Sequence, residues 1–263
     1  MSLLAVSALT VRTAEGRVLV DDLAFDLAAG GRLGIIGESG SGKSVTSLAV
    51  TGLLPPALTV DGSVLLDGVQ IVGAPERRLV GVRGRVASVV FQEPLTALDP
   101  LMRIGRQVAE PLRRHRGLSG AALRAGVAEA LAEVSLDDAR LSRAYPHEIS
   151  GGQRQRAAIA IALASRPQLL IADEPTTALD VTVQAQVLRL LGDLVEARGM
   201  ALLFISHDLA VVSAMTNDVI VMAAGSAVER GAIGDLLRAP QHPYTAELVR
   251  SARSLDEMLG ERA

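Results

Sequence analysis

The sequence predicts an α/β fold built on a buried parallel sheet, and three stretches carry that expectation. In the first, the apolar run at 33–36 passes into Gly37-Glu38-Ser39-Gly40-Ser41-Gly42-Lys43-Ser44 and then into a helical pattern over 45–54. In the second, residues 151–205 alternate between helix at 151–165, strand at 169–172, helix at 183–197 and strand at 201–205. In the third, the strand at 169–172 ends in two adjacent carboxylates, Asp173 and Glu174. That placement suits chemistry at the carboxyl edge of a parallel sheet.

Taken in order, residues 3–11 and 17–20 flank Ala14-Glu15-Gly16 as a hairpin that leads into Phe25-Asp26-Leu27 and the pair Gly30-Gly31. This reads as an antiparallel β region. The helix over 45–54 is expected to stop at Pro55-Pro56, and 62–68 reads as a short strand closed by a turn. A continuous apolar run at 86–91 is consistent with a buried strand. From 93 to 100 the chain is turn-rich, and helical patterns follow at 104–114 and 119–134, the second with Ser119 as N-cap. Residues 93–149 therefore read as an inserted helical sub-domain, between a first core segment at 1–92 and a second at 150–263. Its arginines at 103, 106, 113, 114 and 116 read as a solvated helix face. Beyond the alternating stretch, 219–222 and 227–229 form a hairpin around 223–226, and a helical tail begins near 233.

Composition narrows the function. The 263 residues include no cysteine, which excludes disulfides, thiolate metal sites and a cysteine-ligated iron–sulfur cluster. Mean hydropathy is high at +0.34, yet the apolar runs at 157–164 and 200–205 are far too short to span a bilayer. The first residues lack the charged and apolar regions of a signal peptide, so a cytoplasmic location is expected. A net charge of −3 and a pI near 5.9 argue against nucleic acid as a partner.

The run from Gly37 to Ser44 matches the phosphate-binding pattern G-x-x-x-x-G-K-[ST] at every fixed position. Its glycines let successive amides turn on a phosphate chain, Lys43 is placed to reach β/γ oxygens, and the Ser44 hydroxyl suits Mg²⁺. Lys43 is the only lysine among 26 basic residues. Downstream, Asp173 is expected to hold Mg²⁺ through its water shell and Glu174 to polarise an attacking water. Ile149-Ser150-Gly151-Gly152-Gln153 places Ser150 as N-cap of a helix whose small residues allow close approach to an anion.

This last segment resembles the signature motif of the ATP-binding cassette (ABC) ATPases, with Ile149 where most members have Leu. Other family motifs stand in order around it: Gln92 matches the glutamine loop, Thr177-Ala178-Leu179-Asp180 the loop whose aspartate faces the opposing monomer, and His207 the switch histidine. The resemblance covers essentially residues 3–250. It implies a P-loop NTPase core, a mixed sheet with helices on both faces, beside an antiparallel β region and a helical sub-domain. It further implies ATP bound by the phosphate loop with Val45 and Gln92, and Mg²⁺ touched by Ser44, Gln92 and Asp173. Glu174, His207 and Lys43 are the implied catalytic groups, while Ser150, Gly151, Gly152 and Gln153 serve ATP on the opposing monomer and Asp180 faces that monomer.

Because the signature comes from the other copy in this family, the resemblance implies dimerisation. A compact helical insertion looks like the sub-domain that receives a segment of a membrane subunit, so an energy-coupling transporter subunit is expected; a soluble ABC ATPase of DNA repair or translation is the alternative. The runs Phe91-Gln92-Glu93-Pro94-Leu95-Thr96-Ala97-Leu98-Asp99-Pro100, Tyr145-Pro146-His147-Glu148 and Gln241-His242-Pro243-Tyr244-Thr245 look like the dipeptide, oligopeptide and nickel uptake group. That group implies a second, different ATPase subunit rather than an identical one, two permease subunits, an extracytoplasmic substrate-binding protein acting indirectly, and a place on the cytoplasmic face of the membrane. Many of its peptide-importing members carry an iron–sulfur cluster, which the lack of cysteine excludes here. One departure stands out: where the family has an aromatic residue stacked on adenine, this chain reads Val11-Arg12-Thr13-Ala14-Glu15. Weak discrimination of ATP from GTP is expected to follow.

Overall fold

A computed structural model describes residues 2–92, 97–177 and 179–260, with only the main chain described for 253–260. Along the chain the strands are β1 (Ser2–Thr13), β2 (Val18–Ala28), β3 (Arg32–Ile36), β4 (Leu58–Leu66), β5 (Val69–Gln70), β6 (Ala87–Val90), β7 (Leu169–Asp173), β8 (Ala201–Ser206), β9 (Asp218–Ala223) and β10 (Ser226–Ala232). The helices are α1 (Lys43–Thr51), α2 (Glu76–Leu79), α3 (Ile104–Arg116), α4 (Gly120–Ala132), α5 (Gly151–Leu163), α6 (Val181–Ala197), α7 (Leu209–Met215), α8 (Ile233–Arg238) and α9 (Pro243–Gly260). Tertiary contacts group the chain into two units, Met1–Leu79 with Leu202–Ala263, and Val80–Ala201.

The first unit holds an antiparallel sheet in the order β2-β1-β4-β5, which bears out the antiparallel β region. It also holds β3, which lies between β8 and β9 and runs parallel to both, with β10 antiparallel on the outer side of β9. Ile35, Ile36, Leu203, Phe204 and Ile205 are fully buried, as expected of parallel strands covered on both faces. The register pairs Ile36 with both Ser206 and Val221, so β3, β8 and β9 all end at one edge.

Helix α1 departs from the sequence expectation at both ends. It begins at Lys43, and it stops at Gly52, whose left-handed φ of 66° lets its amide and that of Leu53 close onto Ala49 and Leu48 carbonyls. The helix has therefore ended before Pro55-Pro56 is reached. Helix α7 lies where no helix was expected; Asp208 caps it by accepting from the Ala210 and Val211 amides.

In the second unit β6 and β7 pair in parallel, with Val90 opposite Ala172, and β7 is buried along its whole length. Helices α3 and α4 lie against each other, with Leu112, Leu123 and Leu131 buried and Leu112 beside Gly126, and Gly117, at φ 65°, follows α3 in the turn between them. Ser119 occupies the N-cap position of α4 but makes no side-chain cap, unlike the expectation. Within the motif that starts at Phe91, Glu93 to Thr96 lie outside the described residues, as does Ala178 in the Asp180 loop.

Candidate functional site

The phosphate loop is shaped by two glycines that nothing larger could replace. A Cβ on Gly37 would lie 2.2 Å from the Met222 carbonyl oxygen, and one on Gly42 would lie 2.6 Å from that of Leu19. Gly42 also holds φ 102°, where a side chain is strained. Gly40, at φ 83°, needs its freedom for the turn alone, since nothing stands within 4 Å of its Cβ position. Lys43 is buried, with 4% exposure, and its Nζ donates to the carbonyls of Gly37 at 2.7 Å and Glu38 at 2.9 Å. No side chain caps the N-terminus of α1, and Ser44 is exposed there. Glu38 and Ser39 are exposed, Val45 is half-buried, and Ser41 is buried with its Oγ lacking a hydrogen-bond partner among the described residues. The loop is thus a main-chain cradle that leads into a helix N-terminus, the arrangement that receives a phosphate.

His207 belongs to the same edge. It follows β8 directly, is exposed, and stands where the Ile36–Ser206 register brings the ends of β3 and β8 level. Asp208 fixes the turn beyond it by accepting a hydrogen bond from Ala210 at 2.9 Å while its own amide donates to Ser206 Oγ at 3.0 Å.

The second unit assembles another set. Because Val90 lies opposite Ala172, the segments after β6 and β7 leave the sheet together, bringing Gln92 to Glu174. Gln92 Nε2 donates to Glu174 Oε2 at 3.3 Å, and Thr177 Oγ1 donates to the same oxygen at 2.9 Å. Asp173 is buried beside them. Glu174 has a left-handed φ of 47°, a strain of about 1–2 kcal/mol for a residue with a Cβ. Gln92 and Thr177 both hold the carboxylate at this strained turn. Sequence reasoning gave Thr177 no role of its own; a hydroxyl three residues beyond a strand-end carboxylate was the available signal.

Ser150 and Gln153 cap α5 reciprocally, the Ser150 Oγ accepting from the Gln153 amide at 3.3 Å and Gln153 Oε1 from the Ser150 amide at 3.0 Å. The two glycines between them differ. A Cβ on Gly151 would make ordinary contact, 3.8 Å from Leu179, whereas one on Gly152 would come within 2.6 Å of Val183 Cγ1 on α6. The close approach at Gly152 is therefore made by this chain's own α6. Asp180 is exposed and caps α6, accepting from the Val183 amide at 3.0 Å.

The donor set named for Mg²⁺, a hydroxyl at Ser44, an amide at Gln92 and a carboxylate at Asp173, consists of hard oxygen ligands too few to form a closed cage. Among the described residues no group of three His, Asp or Glu side chains gathers as a metal cluster. Oxygen donors of this kind suit an ion that keeps much of its water.

A parallel strand running through a glycine cradle into an uncapped helix, with a strand-end aspartate and glutamate, defines a P-loop nucleoside triphosphatase. Comparison with known proteins specifies the kind. The ABC transporter family profile matches residues 20–177, and the chain belongs to that family. It is 49% identical over 253 residues to the peptidoglycan transport ATP-binding protein YejF of Agrobacterium fabrum, a match covering 94% of this chain and 46% of that protein. The chain thus spans about half the length of that relative. It is 47% identical to the oligopeptide transport ATP-binding protein OppD of Salmonella typhimurium, over 94% of this chain and 74% of OppD. Among solved structures, the dimeric ATP-binding cassette MJ0796 bound to ADP and Pi superposes with a TM-score of 0.77 at 29% identity, covering 88% of this chain and 98% of that one. The fold is that of an ABC ATPase cassette.

Proposed function

We propose that this chain is the ATP-hydrolysing subunit of an ABC importer for di- or oligopeptides, working on the cytoplasmic face of the membrane as one of a pair of cassettes. The observation that carries the reading is the phosphate cradle of Gly37 and Gly42 closing on Lys43, joined to relatives named for oligopeptide and dipeptide transport at 45–47% identity. Those names support peptide cargo over nickel, and transport over a soluble repair or translation role.

In this reading the loop amides and Lys43 bind the β/γ-phosphates of ATP, with Val45 and Gln92 alongside. Glu174, held by Gln92 and Thr177, orients a water for in-line attack on the γ-phosphorus and takes up its proton as ADP departs. His207 contacts the γ-phosphate. Ser44, Gln92 and Asp173 would hold Mg²⁺, which when bound neutralises charge on the transferring phosphoryl group. Ser150 to Gln153 and Asp180 serve the partner cassette. The exposure of Ser150 and Gly151 at the start of α5 supports that assignment, since a helix N-terminus favours an anion. The partner cassette is a different subunit of the same family in this reading.

No helix among the described residues is long and apolar enough to cross a membrane, and in this reading two permease subunits form the path of the cargo. A groove of about 620 Å³ against α3 and α4, lined by Ala109, Leu123, Val127, Leu131 and the arginines 103 and 143, supports a permease segment docking there. An extracytoplasmic binding protein would act through the permeases. The test is co-expression with the permease subunits of the same system: membrane recovery of this chain and peptide-stimulated ATP hydrolysis are expected, and recovery with ribosomes or DNA instead would overturn the reading.

A further inference from the structure

One peptide unit of the phosphate loop is gripped at both ends. Its carbonyl, on Gly37, accepts from Lys43 Nζ at 2.7 Å, and its amide, on Glu38, donates to the Tyr244 hydroxyl oxygen at 2.9 Å. The next carbonyl, on Glu38, accepts from the same ammonium at 2.9 Å. A peptide is planar, and its C=O and N–H point in opposite directions. Anchoring the N–H therefore sets the direction of the carbonyl, and with it the place of the ammonium that the carbonyl holds.

Tyr244 is delivered to this spot by a built turn. It lies at the start of α9, and its own amide donates to His242 Nδ1 at 3.2 Å. The two residues before the helix are tied to β10, because the Glu229 carboxylate accepts from the Gln241 amide and from the His242 amide, each at 2.9 Å. Burial pushes the Tyr244 phenol above its ordinary value; the Glu38 amide opposes that shift, while the Glu38 and Glu247 carboxylates add to it. The hydroxyl accordingly stays protonated near neutral pH, with its oxygen free to accept.

We infer that Tyr244 is a positioning residue of the nucleotide site, one that acts through the 37–38 peptide to set where Lys43 presents its charge to phosphate. The inference rests on the ATP-binding reading given above. Glu38 is exposed, so its amide can turn to water once the phenol is gone. The effect is consequently that of a single net hydrogen bond, about two- to twelvefold in affinity, and far short of abolition.

The experiment measures MgATP binding at equilibrium and steady-state hydrolysis on the full chain, for Tyr244→Phe, Lys43→Ala and Glu38→Pro. Tyr244→Phe keeps the ring and removes the hydroxyl; Glu38→Pro removes the amide hydrogen instead. Each is expected to weaken MgATP by about two- to twelvefold, and Tyr244→Phe is expected to add nothing in the Glu38→Pro background. A purely structural role for the tyrosine would lower the melting temperature and add its effect to that of Glu38→Pro, which would overturn the inference. Wild-type affinity in Tyr244→Phe, with binding lost in Lys43→Ala, overturns the inference and leaves the ATP-site reading standing. Unchanged affinity in Lys43→Ala overturns both.

Discussion

Glu174 Oε2 accepts from Thr177 Oγ1 at 2.9 Å, a shorter bond than the one it accepts from Gln92 Nε2 at 3.3 Å. Neither donor can supply a base. Glu174→Gln is accordingly expected to retain ATP binding and to accumulate as a stable nucleotide-bound dimer, with hydrolysis lowered about 10²–10⁴-fold. Single-turnover hydrolysis and sizing chromatography with ATP check this, and hydrolysis at the wild-type rate would mean that Glu174 is not the base.

Thr177→Val removes the closer donor with little change in volume. The carboxylate then keeps Gln92 but loses its hydroxyl anchor, so kcat is expected to fall about tenfold with little change in ATP affinity, the signature of misoriented chemistry rather than lost binding. Steady-state kinetics that separate kcat from KM decide the point, and a rise in KM alone would contradict it.

Gly151 and Gly152 offer an internal control. Alanine at 152 would press on Val183 at 2.6 Å and is expected to cost about 1–3 kcal/mol of stability, while alanine at 151 meets only ordinary contact. Adding Val183→Ala should restore the melting temperature of Gly152→Ala. If Gly151→Ala stays as stable as wild type yet hydrolyses ATP more slowly, its small size serves the partner's nucleotide; full activity would show that only packing is at stake around α5.

Arg12 lies in β1, at the segment where an adenine-stacking aromatic is expected, and its Nη1 pairs with Asp61 at 3.1 Å on an exposed surface. Loss of aromatic stacking weakens a base contact by about 0.5–1.5 kcal/mol, roughly tenfold at most. GTP is therefore expected to compete with ATP nearly on equal terms. Displacement of a fluorescent ATP analogue by GTP measures this directly, and a strong adenine preference would sink the idea.

The phosphate loop was legible because its requirements are local. Glycine at 42 answers a left-handed φ, and the following helix begins where the loop ends. The N-cap role of Ser150 was equally readable, and the structure adds the return bond of Gln153 three residues on. The end of α1 was misread because a glycine cap and a proline pair both signal a stop, and only the hydrogen bonds of Gly52 and Leu53 show which acts first. Helix α7 was missed because seven residues offer too little periodicity to register.

By itself the sequence determined the order of the motifs, the βα geometry that presents Gly37 to Ser44, and the exclusion of cysteine chemistry, because each depends on residue identity or on backbone preferences over a few positions. Tertiary structure alone decided which groups hold the chemistry in place. Strand register brought Gln92 to Glu174 across 82 positions, helix packing made Gly152 a neighbour of Val183, and the turn before α9 carried the Tyr244 hydroxyl to the Glu38 amide across 206. Such contacts depend on chain segments meeting in space, and no local pattern encodes where a distant segment will come to rest.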